Sequence, residues 1–250
     1  MNDEKFQEAK EKINNASSIV FFTGAGVSAE SGIATFRGVD GIWTKLKPEE
    51  LANFDNFLKN PEMVWAWYKY RKEVVNESKP NPAHLAIAEA QKRFTEVTVI
   101  TQNIDNLHRR AGSKTVYELH GNIQRNYCVK CGTFYNNDID IEDKVPKCKC
   151  GGLIRPDIVW FGEMLPESEF ELSEIASRNC DIFVIVGTSG VVYPAANMIF
   201  YAKESGAYII EVNIERTEVS YLANASFFGK AGTVLPRLLE LDDNSGQNLL

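Results

Sequence analysis

Apolar residues recur at Phe6, Ala9 and Ile13, the spacing of one face of an amphipathic helix, so residues 3–15 predict a helix at the start of the chain. Four later runs follow another pattern. Residues 17–23 (SSIVFFT), 96–101 (EVTVIT), 180–187 (CDIFVIVG) and 207–212 (AYIIEV) are short and rich in β-branched and aromatic side chains. Each ends against glycine, asparagine or hydroxyl residues, which predicts a buried strand. Helical patterns separate them, notably residues 81–94 (NPAHLAIAEAQKRF), where Asn81 can cap a helix whose first residue is Pro82. Strand–helix alternation of this kind implies parallel pairing with helices on both faces. Ligands of such sheets sit outside the carboxyl ends of the strands, where the polar clusters of this chain fall.

The expected fold is therefore α/β, a Rossmann-like parallel sheet with helices on both faces. Two stretches break its rhythm. Residues 38–80 are aromatic-rich and helical in pattern, and residues 121–155 hold four cysteines and little regular pattern. Both read as insertions, one helical and one zinc-binding, that meet in a smaller lobe. The large lobe is then discontinuous, covering 1–37, 81–120 and 156–250, with a loose tail at the end. At 250 residues and 44% apolar content the chain can bury a large core and a small module. A net charge of -7 argues against a general phosphate-backbone binder and suits a basic protein partner or substrate. The charged start MNDEKFQEAK has no apolar targeting core, and no run reaches the roughly 18 apolar residues of a membrane span. The expected address is the cytoplasm, with no membrane partner and no direct nucleic-acid partner.

Candidate chemistry clusters at the strand ends. The first strand leads into TGAGVSAESGIATFRG (23–38), where Gly24 and Gly26 permit a tight turn and the following helix would offer its N-terminus to a pyrophosphate. The third glycine is Gly32, so this is not the G-x-G-x-x-G fingerprint, and an ordinary strand–helix turn fits the bare pattern as well. The second strand ends in TQNIDNLHRRAG, where Asn103 and Asp105 alternate at the strand exit and would point into the crevice. A turn rich in Asn and Asp is the simpler reading of that stretch in isolation. His120, just before Gly121, is a candidate proton acceptor at a strand–loop junction, whereas His84 and His108 read as structural. Two later strand ends, VGTSG (186–190) and VNIE (212–215), supply backbone amides, hydroxyls, Asn213 and Glu215.

Of five cysteines, Cys128, Cys131, Cys148 and Cys150 form a C-x2-C-x16-C-x-C pattern with glycine after each pair. Two close thiolate pairs on glycine-relaxed turns can wrap one tetrahedral zinc ion, and no fourth position is left for catalysis, so the metal is structural. Cys180 stands alone before an apolar run and reads as a small core residue.

Taken together, GAGVSAESGIATFRG, TQNIDNLH, LHG, the four cysteines, VWFGEMLP, VGTSGVVYPA and VNIE, in order from about residue 17 to about residue 235, resemble the sirtuins, the NAD-dependent protein lysine deacylases. The resemblance implies a cofactor loop from Gly24 to Trp43, including Ala25, Gly26 and Ser28, with Phe36 and Arg37 over the reacting ribose. It implies that Gln102, Asn103, Ile104 and Asp105 hold the nicotinamide and its ribose, with Asn103 and Asp105 joining His120 in catalysis. Gly187, Thr188, Ser189, Asn213, Ile214, Glu215 and Ala231 would hold phosphates and adenosine. The acyl-lysine would pass beside His120, its backbone adding a strand between Val159, Phe161 and Gly162 on one side and Val192 on the other. Nicotinamide would depart, the acyl oxygen would capture the ribose carbon as an alkylimidate, and His120 would accept a proton from a ribose hydroxyl that attacks the imidate; water would then release lysine and acylated ADP-ribose. Ala34 stands where the family usually has proline.

The stretch VWAWYKYRKE (64–73) bears on which acyl group is removed. Val64, Tyr68, Arg71 and Val75 share one helical stripe, so Arg71 sits within an apolar face. A snorkelling arginine is the simple reading. The sirtuin branch with Tyr-x-x-Arg here removes succinyl and malonyl groups, which implies that Tyr68 and Arg71 grip a distal carboxylate and that small Ala52 makes room. Deacetylation is expected alongside. The rival readings are ADP-ribosyl transfer to protein at the same site and a zinc-ribbon nucleic-acid module, the latter opposed by the acidic balance.

Overall fold

The computed structural model describes residues 3–35, 47–135, 139 and 145–241. Phe36, Arg37 and Trp43, and the expected tail at 242–250, lie outside the described residues. Helix α1 (Asp3–Asn14) forms where its period predicts and buries Phe6, Ala9 and Ile13. The strands are β1 (Ser18–Thr23), β2 (Glu96–Thr101), β3 (Val116–Glu118), β4 (Gly121–Cys128), β5 (Phe134–Tyr135), β6 (Ile154–Ile158), β7 (Ile182–Val186), β8 (Tyr208–Asn213) and β9 (Ala225–Phe228). The further helices are α2 (Pro48–Leu51), α3 (Phe54–Lys59), α4 (Pro61–Glu77), α5 (Pro82–Arg93), α6 (Leu107–Arg110), α7 (Glu167–Asn179), α8 (Asn197–Glu204) and α9 (Ala231–Leu238). None of the described helices is long and apolar enough to cross a membrane.

A six-stranded sheet runs in the order β3-β2-β1-β7-β8-β9 with parallel pairing throughout. Its strands are apolar on both sides because helices cover both faces. Ile19 and Phe21 pack with α1, α5 and α9, while Val20 and Phe22 pack with Met198, Ile199 and Ala202 of α8. The four runs legible in the sequence are the central strands and β8. The edge strands β3 and β9 are too short to stand out from loops. Helix α5 starts as its sequence predicts: Asn81 accepts from the Ala83 amide, and the Asn81 amide donates to His84 Nδ1.

Two expectations need correction. Residues 25–31 after β1 form a seven-residue 3₁₀ helix rather than an α-helix, ended by Gly32 in the left-handed region (φ 84°). So short a turn has no useful dipole to present to a phosphate. Residues 121–155 are more regular than their pattern implies. They hold most of a three-stranded antiparallel sheet, β5-β4-β6, whose register shifts between Asn122 and Asn126. That irregularity breaks the period-two signal by which a strand is read. This sheet shares a core with the helical stretch: Phe57, Val64, Trp65, Tyr68 and Val75 pack with Ile123, Cys128, Ile154 and Trp160.

Candidate active site

The sheet order changes direction between β1 and β7, and at such a point the loops at the carboxyl ends part and leave a crevice. Here the two loops interlock at its base. The Gly26 amide donates to Gly187 O at 2.8 Å and the Gly24 amide to Val186 O at 3.1 Å. A Cβ on Gly26 would lie 2.8 Å from the Gly187 backbone, and one on Gly187, at φ 56°, would lie 2.4 Å from Val27 N. These glycines are therefore required by backbone packing, whatever the crevice binds.

Around this base the polar side chains join into one network. Gln102 Nε2 donates to Thr188 Oγ1 (2.9 Å), tying the β2 exit to the β7 exit. Asn103 Nδ2 donates to Gly24 O and to Ser28 Oγ, each at 3.1 Å. Ser28 Oγ donates to Asp105 Oδ2 at 2.7 Å, and Asp105 Oδ1 takes the Leu107 amide at 2.9 Å. Burial pushes the Asp105 carboxyl above its ordinary value, against the pull of these donors and of the Arg71 and Arg110 charges. Asn213 Nδ2 donates to Thr188 O, bringing the β8 exit to the same cluster.

His120 completes the cluster. Its Nδ1 lies 3.0 Å from Gln102 O; a carbonyl can only accept, so Nδ1 carries the proton and Nε2 is left as the basic nitrogen. Burial lowers its pKa below the ordinary histidine value, and the Gln102 carbonyl offsets part of that shift. The Val159 amide donates to His120 O and the Phe161 amide to Ala52 O, both at 3.0 Å. These bonds tie the segment carrying Val159 and Phe161 to His120 at one point and to Ala52 at another, with Gly162 next in the chain at φ 88°. Ile214 and Glu215 are exposed beyond β8, with the Ile214 amide bonded to Asn213 Oδ1. Ser189 and Val192 are half-buried on the β7 loop. Ala231 opens α9, where the next amide, of Gly232, donates to Glu30 Oε1 at 2.8 Å.

Beneath the crevice lie residues that sequence reasoning left out of the site. Since Ser28 commits its proton to Asp105, His84 Nε2 at 3.3 Å must be the donor to Ser28 Oγ. Burial holds His84 neutral, its pKa lowered to about 4. His108 Nε2 meets Thr23 Oγ1 at 2.9 Å, and the two imidazole rings stand edge to face at 4.9 Å. The available signal was the threonine that closes both β1 and β2, an unusual end for two apolar strands.

On α4 the stripe is buried as its spacing predicts: Val64, Tyr68, Arg71 and Val75 are all inside. Tyr68 Oη accepts from Trp160 Nε1 at 2.9 Å, and burial pushes the phenol up to about 12. The Arg71 charge favours both the Tyr68 and the Asp105 anion, so the helix and the crevice share one electrostatic neighbourhood. Trp67 lies under the Arg71 guanidinium at 5.7 Å.

The four cysteines converge, with all Sγ atoms within 4.8 Å of one another. Cys128 and Cys150 are 3.5 Å apart and Cys131 and Cys148 3.6 Å, close to the roughly 3.8 Å edge of a tetrahedral zinc–thiolate site. Tyr135 Oη donates to Cys148 Sγ at 3.1 Å, the kind of outer bond that orients a ligand. The cluster fits one structural zinc ion, and Cys180 is a buried core thiol far along the chain.

The Sir2 family model matches residues 24–194, a span from the glycine loop to the β7 loop. The chain belongs to the Sir2 family. It is 51% identical over 222 residues to NAD-dependent protein deacylase 2 of Pyrobaculum aerophilum, covering 88% of this chain and 89% of that one. It is 49% identical to an NAD-dependent protein deacylase of Aquifex aeolicus, covering 89% and 94%. A solved complex of a Sir2 homologue with NAD superposes with a TM-score of 0.89 at 43% identity, covering 94% of this chain and 93% of that one.

Proposed function

We propose that this Sir2-family chain removes acyl groups from protein lysine side chains with NAD as cosubstrate and one water consumed, giving nicotinamide, O-acyl-ADP-ribose and free lysine. The observation that carries the reading is His120, its Nδ1 proton engaged by Gln102 O at the β2 exit and its Nε2 left as the basic nitrogen. The donor set at the strand ends suits NAD. Glu215 and Asn213 suit ribose hydroxyls, Gly187, Thr188 and Ser189 suit phosphates, and exposed Ile214 offers apolar surface for adenine, while Ala231, though a candidate, is buried at the start of α9. NAD, when bound, supplies the ADP-ribosyl group that receives the acyl group, with nicotinamide as leaving group.

The protein's own work is positional and basic. Gln102, Asn103, Ile104, Asp105 and the loop from Gly24, Ala25 and Gly26 through Ser28 to Phe36, Arg37 and Trp43 would orient the nicotinamide end. His120 Nε2 would take up the proton released during acyl transfer. The edges at Val159, Phe161 and Gly162 and at Val192 would align the substrate backbone as an added strand. The large lobe (1–37, 81–120, 156–250) would carry the cofactor, and the insertions (38–80, 121–155) would close over the acyl-lysine. A reducing compartment such as the cytoplasm suits the unbridged thiols.

We extend the reading to the acyl group: Tyr68 and Arg71 would hold a distal carboxylate, with Ala52 leaving space, so that succinyl and malonyl groups are preferred and acetyl is also removed. A guanidinium can hold a carboxylate by two charge-assisted bonds, and an acetyl group would leave those donors unmet. The test is nicotinamide release from NAD with matched acetyl, malonyl and succinyl peptides, with mass spectrometry of the peptide. Acyl loss is expected, fastest for the succinyl peptide. ADP-ribose gained by the peptide, or no turnover of any peptide, refutes deacylation; equal efficiencies refute only the acyl preference.

A further inference from the structure

Tyr68 does not meet the acyl pocket alone. Trp160 is 1% exposed, its ring tilted against Tyr68 at 6.1 Å and Phe57 at 5.4 Å. The guanidinium of Arg155 lies 3.4 Å over the indole centroid. Arg155 is itself held by an ion pair to Glu163 and by a bond from Nη2 to Ile158 O at 2.7 Å. Glu163 in turn accepts the backbone amide of Trp160 at 2.7 Å. Backbone, ring plane and edge of Trp160 are therefore fixed by a closed set of partners.

The indole N–H is a donor and nothing else. Because it points at Tyr68 Oη, that oxygen must accept, and the phenol cannot return its own proton to Trp160. Among the described residues no acceptor takes the Tyr68 O–H. A buried donor left without a partner is costly, so the site is built to receive an acceptor from outside. We propose that Trp160 is a specificity-determining positioning residue: by occupying one lone pair of Tyr68 Oη it commits the phenol to donate to the substrate. An acyl chain ending in a carboxylate satisfies that donor; acetyl does not. This inference rests on the reading of Tyr68 and Arg71 given above. If Trp160 merely satisfied its own N–H and filled space, its loss would weaken turnover of all acyl groups alike.

The test measures kcat/KM for matched succinyl- and acetyl-lysine peptides in the parent protein, Tyr68→Phe, Arg71→Met, and two changes at position 160. One is Trp160→Phe. The other replaces Trp160 by 3-benzothienylalanine, which puts sulfur where the N–H stood and keeps the shape, so it retains packing if the phenylalanine variant fails to fold. The benzothienyl variant is expected to lower the succinyl-to-acetyl efficiency ratio about tenfold, the scale of one lost hydrogen bond. In the Tyr68→Phe background the same replacement should leave the ratio where it is, since no hydroxyl remains to orient. An unchanged ratio, or a drop of equal size in the Tyr68→Phe background, overturns the role of Trp160. If Tyr68→Phe and Arg71→Met erase discrimination while the benzothienyl variant keeps it, the inference fails and the acid-pocket reading stands. A parent protein that treats both peptides equally overturns both.

Discussion

At the ends of β1, β2 and β7 the buried polar side chains bond one another across adjacent loops, as Asn103, Ser28 and Asp105 do. Along α4 the buried polar groups instead reach out to the small sheet and its flanks: Trp65 Nε1 to Ile154 O, Lys72 Nζ to Asn126 Oδ1, and Tyr68 Oη from Trp160. The crevice is thus organised by neighbouring strand ends that the parallel sheet holds in register. The α4 pocket is organised by an element far away in sequence. Under the proposed function, the first would serve the cosubstrate and the second would discriminate among acyl groups. The difference teaches that one polar cluster depends on sheet topology, and the other on the packing of a helix against a remote segment.

That contrast can be broken experimentally. The largest expected effect is at the crevice: His120→Ala should lower deacylation of every acyl peptide by about 10³-fold, within the range of a lost general base. Zinc content should stay at one per chain, and near-parental turnover would remove His120 from the mechanism. Because burial lowers the His120 pKa, its base form persists below the ordinary value of 6.5. The acid limb of the parent's kcat/KM profile should therefore fall below pH 6.5, and a limb above it would contradict this environment.

A smaller and selective effect is expected at the pocket. Arg71→Met should narrow the succinyl preference by about 10²-fold, the scale of a lost charge-assisted pair, with the succinyl KM rising most. Equal losses on both peptides would mean that Arg71 serves the crevice, through Asp105, rather than the acyl group. The smallest effect concerns stability. Lys72 is buried with no carboxylate partner among the described residues, and burial lowers its pKa to about 8 from 10.5. Between those values the unfolded chain binds more protons than the folded one, so stability should rise with pH across that window. Lys72→Met should abolish that rise in denaturant titrations at pH 8, 9 and 10; a retained rise would place its cause elsewhere.

Much of the first region was legible before any coordinates. The runs at 17–23, 96–101, 180–187 and 207–212 are continuous apolar segments, and their polar ends name Asn103, Asp105, Asn213 and the glycine loop. The four cysteines announce a metal by spacing alone. His84 and His108 read as structural in the sequence, and both are buried; only proximity to Ser28 and Thr23 ties them to the polar network. Trp160 and Glu163 stand in the VWFGEMLP stretch, but nothing linear ties them to Tyr68 or to Arg155.

By itself the sequence determined the α/β alternation, the polar clusters at the strand ends, the four-cysteine cluster that fits zinc and the burial of the α4 stripe. Each depends on local periodicity or spacing, which a linear chain displays directly. Tertiary structure alone decided which glycine faces which loop, which imidazole nitrogen carries a proton, and that Tyr68 accepts from Trp160, 92 positions away. Hydrogen-bond direction and desolvation depend on what a side chain meets, and that is set only when distant segments pack together.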